Sequence, residues 1–416
     1  MTMTSPAQLS VVGPPVNVWS AVDTLHKCGI IDVPDVPANI FQDPGGVTHM
    51  VTGSTNFHVM LGTPLNQTRS CAMAWNMTGD ADPAMFAGDE FLDATHAFAN
   101  GTVYALLDTE YPGDRYPGMC DRPLAYPYCY MVSIGLAVSH DWGLTWAHAR
   151  PPPHHLVAAV PYVYNQSWKG YGWAAPSLVR SPRDDYFYAL MWNKHTVGLQ
   201  LAGITTMRTA DLTDPTSWRG LDANGSFTVQ FVSPYTMPAG DEPQHVCRIV
   251  NLPADGCGPY GLVWSTVLQK FVVTLGCYSA YTRARAPPGG GAQGDGQGDG
   301  QGSATGSATG SATGAPHASP TAPRADLEFF YATSDDLITW SNASAFYSRD
   351  DMPGNVSSMV TSMQYPSLMD PSAPTAYGDR NYGIIGPKPY LYWVSIGHSP
   401  HTDGRHLWAT PLEFRE

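Results

Sequence analysis

The chain has 416 residues, 35 acidic against 21 basic side chains and a formal charge of −14. That balance excludes nucleic acid as a partner, since phosphate binding needs clustered Lys and Arg to displace counterions. With 41 Gly, 37 Pro and only 13% charged residues, the composition is that of a turn-rich β protein with a polar, weakly ionic surface. The best apolar run, from Tyr260 to Tyr278, contains Gln269 and Lys270 and falls short of a membrane span.

Residues 1–27 read as a tail in which Val16-Asn-Val-Trp19 supplies a strand able to close a ring. Beyond it a pattern recurs five times: a strand led in most copies by Pro, a turn, and an aromatic-rich strand. The copies are Val36 to Phe41 with Val47 to Val51, Asp93 to Phe98 with Val103 to Leu107, and Ala175 to Val179 with Tyr186 to Leu190. The last two are Gly258 to Val263 with Lys270 to Thr274, and Tyr365 to Met369 with Pro389 to Val394. Pro is expected at the head of the leading strand in four of the copies, where no ladder donor is lost.

A second repeat follows some of these pairs. Ser139-His-Asp-Trp-Gly-Leu-Thr-Trp146, Thr209 to Trp218 and Thr333 to Trp340 are polar turns with an Asp ahead of a Trp, each after a short alternating strand. The expected architecture is an all-β, radially repeated ring of outer hairpins and inner strands, a five-bladed β-propeller over residues 28–416. Residues 285–324, rich in Gly, Ala, Ser and Thr with three SATG copies, cannot bury apolar surface and read as a flexible insertion within blade 4.

Seven Cys leave at least one thiol unpaired in an oxidised chain. Loop bracketing favours Cys120 with Cys129 and Cys247 with Cys257, then Cys28 with Cys71, and leaves Cys277 as a buried thiol. None of the spacings is CxxC, so neither a zinc site nor any other cofactor is expected. Seven of the thirteen Asn (Asn66, Asn76, Asn100, Asn165, Asn224, Asn342 and Asn355) sit in glycosylation sequons. They point to a secreted or secretory-lumen protein, although Met1 to Val22 carries no basic n-region and no continuous apolar core.

With its Pro-led inner hairpins and Asp…Trp outer turns, the chain from Cys28 to Glu416 resembles the five-bladed propeller glycosidases: arabinanases, β-xylosidases and fructan-acting enzymes. The Ser139 to Trp146 octet also matches the sialidase Asp box residue for residue, a structural turn found in many propellers. No inner strand head carries Arg, which argues against a sialidase. The resemblance implies a central funnel with carboxylates at the starts of the inner strands, one as general base and one as general acid across a sugar ring. It implies Asp35 as base with Asp32 its rival, and Asp93 or Glu90 as the carboxylate that orients the sugar. Asp32-Val-Pro-Asp35 is otherwise a turn whose carboxylates bond local amides. Where these enzymes carry a Glu-Gly-Pro acid in the fourth blade, this chain has Cys257-Gly258-Pro259, so the acid falls to Glu242 in the preceding loop. Glu110 follows the second strand of its hairpin and faces a groove loop. Trp173 heads the third inner strand and rims the funnel, while His96 lines the channel. The implied partner is a carbohydrate, bound by a monomer that either cuts it or, lacking the acid, only binds it.

Overall fold

The computed structural model describes residues 7–21, 28, 32–77, 79–121, 128–253, 256–277, 328–357, 360–372, 381–397 and 404–415. The expected insertion at 285–324 lies outside them. The described chain is almost entirely β, with no helix of seven residues or more, and no helix long and apolar enough to cross a membrane.

Two strands come first, β1 (Gln8–Val11) and β2 (Val16–Ser20), and both pair with the last strand of the chain. An antiparallel unit follows, built from β3 (Asn39–Gln42), β4 (Thr48–Val51), β5 (Asn56–Thr63) and β6 (Asn66–Asn76). The second unit is β7 (Asp89–Ala97), β8 (Val103–Pro112) and β9 (Tyr130–Ser139), with the short β10 (Ala147–His148) and β11 (Leu156–Ala158) on the far edge of β9. The third is β12 (Tyr171–Arg180), β13 (Phe187–Asn193), β14 (Gly203–Thr209), β15 (Arg219–Leu221) and β16 (Phe227–Gln230). A parallel pairing of Tyr171 and Gly172 with Met131 and Val132 fuses the second and third units into one ten-stranded sheet. The fourth unit is β17 (Cys257–Ser265), β18 (Lys270–Cys277), β19 (Glu328–Ser334) and β20 (Ser344–Ser348). The fifth begins with β21 (Val360–Met369); β22 (Ile384–Ile385) then pairs in parallel with β17, and β23 (Tyr390–Gly397) and β24 (Arg405–Arg415) complete the sheet that β1 and β2 join.

Each unit packs on the next through its own apolar core. Phe41 and Phe57 meet Leu92 and Leu107, and Leu106 and Ile134 meet Trp173 and Met191. Tyr188 and Leu190 meet Leu262 and Val273, Val272 and Phe329 meet Leu391 and Trp393, and Tyr392 and Val394 return to Ile40 and Met50 of the first unit. The succession is therefore circular, and the first strand of every unit faces the middle. Hydrogen bonds step round the same circle: Asn39 Nδ2 donates to the Asp93 carbonyl (2.8 Å), Thr274 Oγ1 to the Pro366 carbonyl (2.6 Å) and Ser367 Oγ to the Ala38 carbonyl (3.2 Å).

The three Asp turns are built alike. Ser139, Thr209 and Ser334 each accept the N–H of the Asp two residues on, and those Asp carboxylates accept Thr145 N, Thr213 N and Thr339 N at 2.7–2.9 Å. Trp218 and Trp340 are buried between units, whereas Trp146 is half-buried and donates its backbone N–H to the Ala74 carbonyl (3.0 Å).

The inner strands correct one expectation. Pro176, Pro259 and Pro366 do not head their strands: β12, β17 and β21 begin upstream, and the ladder slips between Ala174 and Ser177, between Pro259 and Gly261, and between Gln364 and Ser367. A slip between Leu92 and Ala94 of β7 likewise sets out Asp93. A bulge is the other place where a strand tolerates Pro, and it re-aims the unpaired side chain. Here it turns Asp93, Ala175, Tyr260 and Tyr365 toward the middle.

The disulfides are Cys28–Cys71, Cys120–Cys129 and Cys257–Cys277. Cys257 therefore bonds across the β17–β18 ladder, where it lies directly opposite Cys277, and not to Cys247. The buried free thiol is Cys247, and burial pushes its pKa far up.

Candidate active site

A cleft of about 880 Å³, partly open to solvent, lies at the level of the bulges. Four carboxylates from three segments line it: Asp35 ahead of β3, Asp93 on β7, and Asp108 and Glu110 on β8. Strand alternation explains the cluster. Asp108 lies opposite Phe91, and Glu110 opposite Asp89, so residues 89 and 91 of β7 share a face with 108 and 110 of β8, and the bulge at Asp93 turns that side chain to the same cleft. The wall across from them is kept small by Gly172, Ala174 and Ala175. A Cβ on Gly172 would come within 1.9 Å of the Val132 carbonyl oxygen, and its φ of +114° is one that side chains rarely adopt. The remaining lining is mostly aromatic, among it Tyr130, Trp192 and the edge-to-face pair Tyr260 and Tyr365 (centroids 5.3 Å apart), and it includes one lysine, Lys194.

The four acids differ in setting. The Asp35 carboxylate pairs with the Arg405 guanidinium and accepts from the Tyr365 hydroxyl (3.1 Å). Burial still raises its pKa, with Arg405 opposing the rise. Asp93, 5% exposed, is pushed well above the ordinary carboxylate range by burial and then by Asp108, Glu110 and Asp35. Asp108 accepts the Ala175 N–H (2.9 Å), and burial lifts it to about 7. Glu110 is also held well above its usual range, by burial and by the nearby Asp108, against a hydrogen bond from Tyr130. Asp35 and Glu110 are partly exposed, while Asp93 and Asp108 are buried. So many carboxylates in one site cannot all ionise at neutral pH. The cleft thus offers one carboxylate paired with a cation and a second that holds its proton, the combination acid–base catalysis requires.

The other candidates lie elsewhere. Asp32 is buried beside β5 and β6, 2.5 Å from Arg69 and accepting the His58 N–H (2.8 Å), and so belongs to the core of the first unit. Glu90 points away from the cleft, because it alternates with Asp89 and Phe91 along β7, and meets His148 Nε2 at 2.7 Å. Trp173 is 1% exposed and packs between the second and third units, so it does not rim the cleft; its neighbours Gly172 and Ala174 do. Glu242 opens a 3-10 turn (Glu242–His245) tied to Gln230 of β16, the outermost strand of its unit, and does not line the cleft. His96 lines a second cavity of about 810 Å³ further along the same inner strands, with its ring against Phe187 (4.8 Å) and its Nδ1 3.2 Å from Asn381. At the place of the expected fourth-blade acid stands Cys257, bonded to Cys277, and the Tyr260 ring covers the next residue, Gly258, where a Cβ would meet it at 2.9 Å.

Sequence reasoning did not single out Asp108, Tyr365 or Arg405. Asp108 and Glu110, two residues apart at the end of an apolar run, carried a readable signal, since strand alternation puts both on one face. Arg405 carried none, because it reaches Asp35 from 370 residues away.

No protein-family model matches the chain, and no curated protein does. Solved structures similar to it along most of their length include an exo-1,5-α-L-arabinanase from a bovine ruminal metagenomic library, 12% identical over 92% of this chain and 93% of that one (TM-score 0.41). The catalytic domain of a Coprinopsis cinerea GH62 α-L-arabinofuranosidase is 9% identical over 99% and 98% (TM-score 0.46). A Cellvibrio cellulosa α-L-arabinanase mutant is 9% identical over 91% of each chain (TM-score 0.46). These neighbours are glycoside hydrolases.

Proposed function

We propose that the five units are propeller blades and that the protein is a glycoside hydrolase whose acid comes from the second blade. The observation that carries this reading is the presence in one cleft of two solvent-reaching carboxylates, Asp35 beside the Arg405 cation and Glu110 held well above the usual carboxylate range by burial and Asp108. Asp35, whose charged form Arg405 favours against the opposing effect of burial, takes a proton from the attacking water or attacks directly, according to its spacing from the acid. Glu110 protonates the leaving glycosidic oxygen. Burial and the neighbouring Asp108 keep Glu110 protonated, with Asp93 buried beside them. Tyr260 and Tyr365 offer ring faces to sugar C–H groups. The substrate is a neutral poly- or oligosaccharide, which suits a site with a surplus of carboxylates. Three disulfides and exposed sequon asparagines at 66, 76, 100, 224 and 342 support an extracellular or lumenal setting.

The test is product release from a panel of polysaccharides and aryl glycosides. Asp35→Asn should abolish turnover of both. Glu110→Gln should lose about 10²–10⁴-fold on polysaccharide but far less on an aryl glycoside whose leaving group needs no proton. If the wild type binds a glycan on the panel and releases nothing from it, the chain is a carbohydrate-binding propeller.

A further inference from the structure

Behind β7, on the face away from the cleft, Glu90, His148 and His155 converge, and one ligand-type atom of each lies within 4.8 Å of the others. Glu90 Oε1 is 2.7 Å from His148 Nε2 and 3.8 Å from His155 Nε2. The two imidazoles are tilted against each other with centroids 4.4 Å apart. His155 Nε2 is also 3.0 Å from the Phe86 carbonyl oxygen. Phe86 holds a left-handed φ of 51° at the end of the 3-10 turn Pro83–Met85, a conformation uncommon for an aromatic residue. Glu90 and His155 expose only 2% and 0% of their side chains, and His148 keeps 20% in contact with solvent.

From this geometry we infer that the cluster is a binding site for a first-row divalent metal ion, with zinc the fitting choice. Two imidazoles and one carboxylate are a zinc donor set, and ligand atoms bound at about 2.0–2.2 Å from a tetrahedral centre lie some 3–4 Å apart. The 3.8 Å separation already fits, and the 2.7 Å one opens when the ion replaces the proton shared by Glu90 and His148. The Phe86 carbonyl, 3.0 Å from His155 Nε2, lies close enough to that ligand atom to serve as a further donor, and the partly exposed His148 marks the entry path. The Trp75 ring edge against His148, 5.4 Å between centroids, fixes that imidazole's plane. The three residues come from separate pieces of the second unit: Glu90 from β7, His148 from β10, and His155 from the turn ahead of β11. An ion here would fasten the carboxylate-bearing strand β7 to the outer part of its own unit. The spacing along the chain, with 58 residues between Glu90 and His148, matches no short metal motif, so the sequence alone gave no sign of it.

The experiment uses untagged, full-length protein stripped with a chelator, dialysed, and titrated with zinc sulfate. Metal content is read by mass spectrometry and stability by thermal melting. The expected result is one zinc per chain, a higher Tm, and visible d–d absorption when cobalt(II) is supplied instead. His148→Ala, at a half-exposed position, and Glu90→Gln should each bind at least about tenfold more weakly while keeping the wild-type circular dichroism. A wild type that takes up no stoichiometric zinc and yields no cobalt absorption overturns the proposal whatever the variants do. So does tight binding that survives both substitutions.

Discussion

Asp108→Asn should change stability in a pH-dependent way whose sign follows from burial. Asn keeps an acceptor for the Ala175 N–H but cannot ionise. In the folded protein the Asp108 carboxyl titrates near about 7, against an unfolded value of 3.8. Between these values the folded state holds a proton that the unfolded state has released. The stabilisation this gives is complete below the unfolded value and lost as pH rises through the folded one. Roughly three pKa units at 1.36 kcal/mol each make this up to about 4 kcal/mol. Near pH 3, below the unfolded value, wild type and variant should therefore differ chiefly by the exchange of a buried hydroxyl for an amide, about 1–3 kcal/mol. By about pH 8 the variant should gain up to about 4 kcal/mol relative to wild type. Urea unfolding across that range, with disulfides intact, reads the difference directly. A difference that stays constant with pH would refute the claim that the cleft withholds charge from Asp108.

The same electrostatics shape activity: kcat/KM should be bell-shaped with both limbs above ordinary carboxylate values, since the Asp35 and Glu110 pKa values are both raised. Glu110→Gln should remove the alkaline limb in assays with an aryl glycoside, and an unaltered profile would take Glu110 out of the acid role. Arg69→Met should cost about 3–5 kcal/mol, because it leaves buried Asp32 without its guanidinium; adding Asp32→Asn should recover part of the lost Tm, and no recovery would mean Arg69 acts through its packing over Trp19. Non-reducing peptide mapping should find Cys28–Cys71, Cys120–Cys129 and Cys257–Cys277, with Cys247 alkylated only after denaturation.

What could be read along the chain was what repeats or lies close by. The Asp turns announced a β ring because each is closed by bonds within a few residues. Asp35 drew attention through its place before Val36-Pro37, and the Cys120–Cys129 loop through its shortness. What stayed hidden depends on register. Pro176, Pro259 and Pro366 look like strand starts until the slipped ladder shows them at bulges. Cys257 has a Cys ten residues upstream and another twenty residues downstream, and only the pairing of β17 with β18 decides between them. Asp108 was lost by ending its strand at Leu107. Trp173 was misplaced because a one-residue error in facing turns every side chain to the opposite side.

The pairing of β24 also bears on how the molecule is assembled. Gln8 to Val11 lie along Arg415 to Leu412, and Val16 to Ser20 along Ala409 to His406, so β1 and β2 lean on a strand made hundreds of residues later. During synthesis β1 and β2 stay unmatched until β24 has emerged, and without them β24 would be a bare edge open to other chains. These contacts have the greatest sequence separation in the fold. Circular permutation that joins the ends and opens an exposed turn elsewhere would convert them into local ones. Such a permutant should fold faster, as lower contact order predicts, and leave the carboxylate cleft as it is.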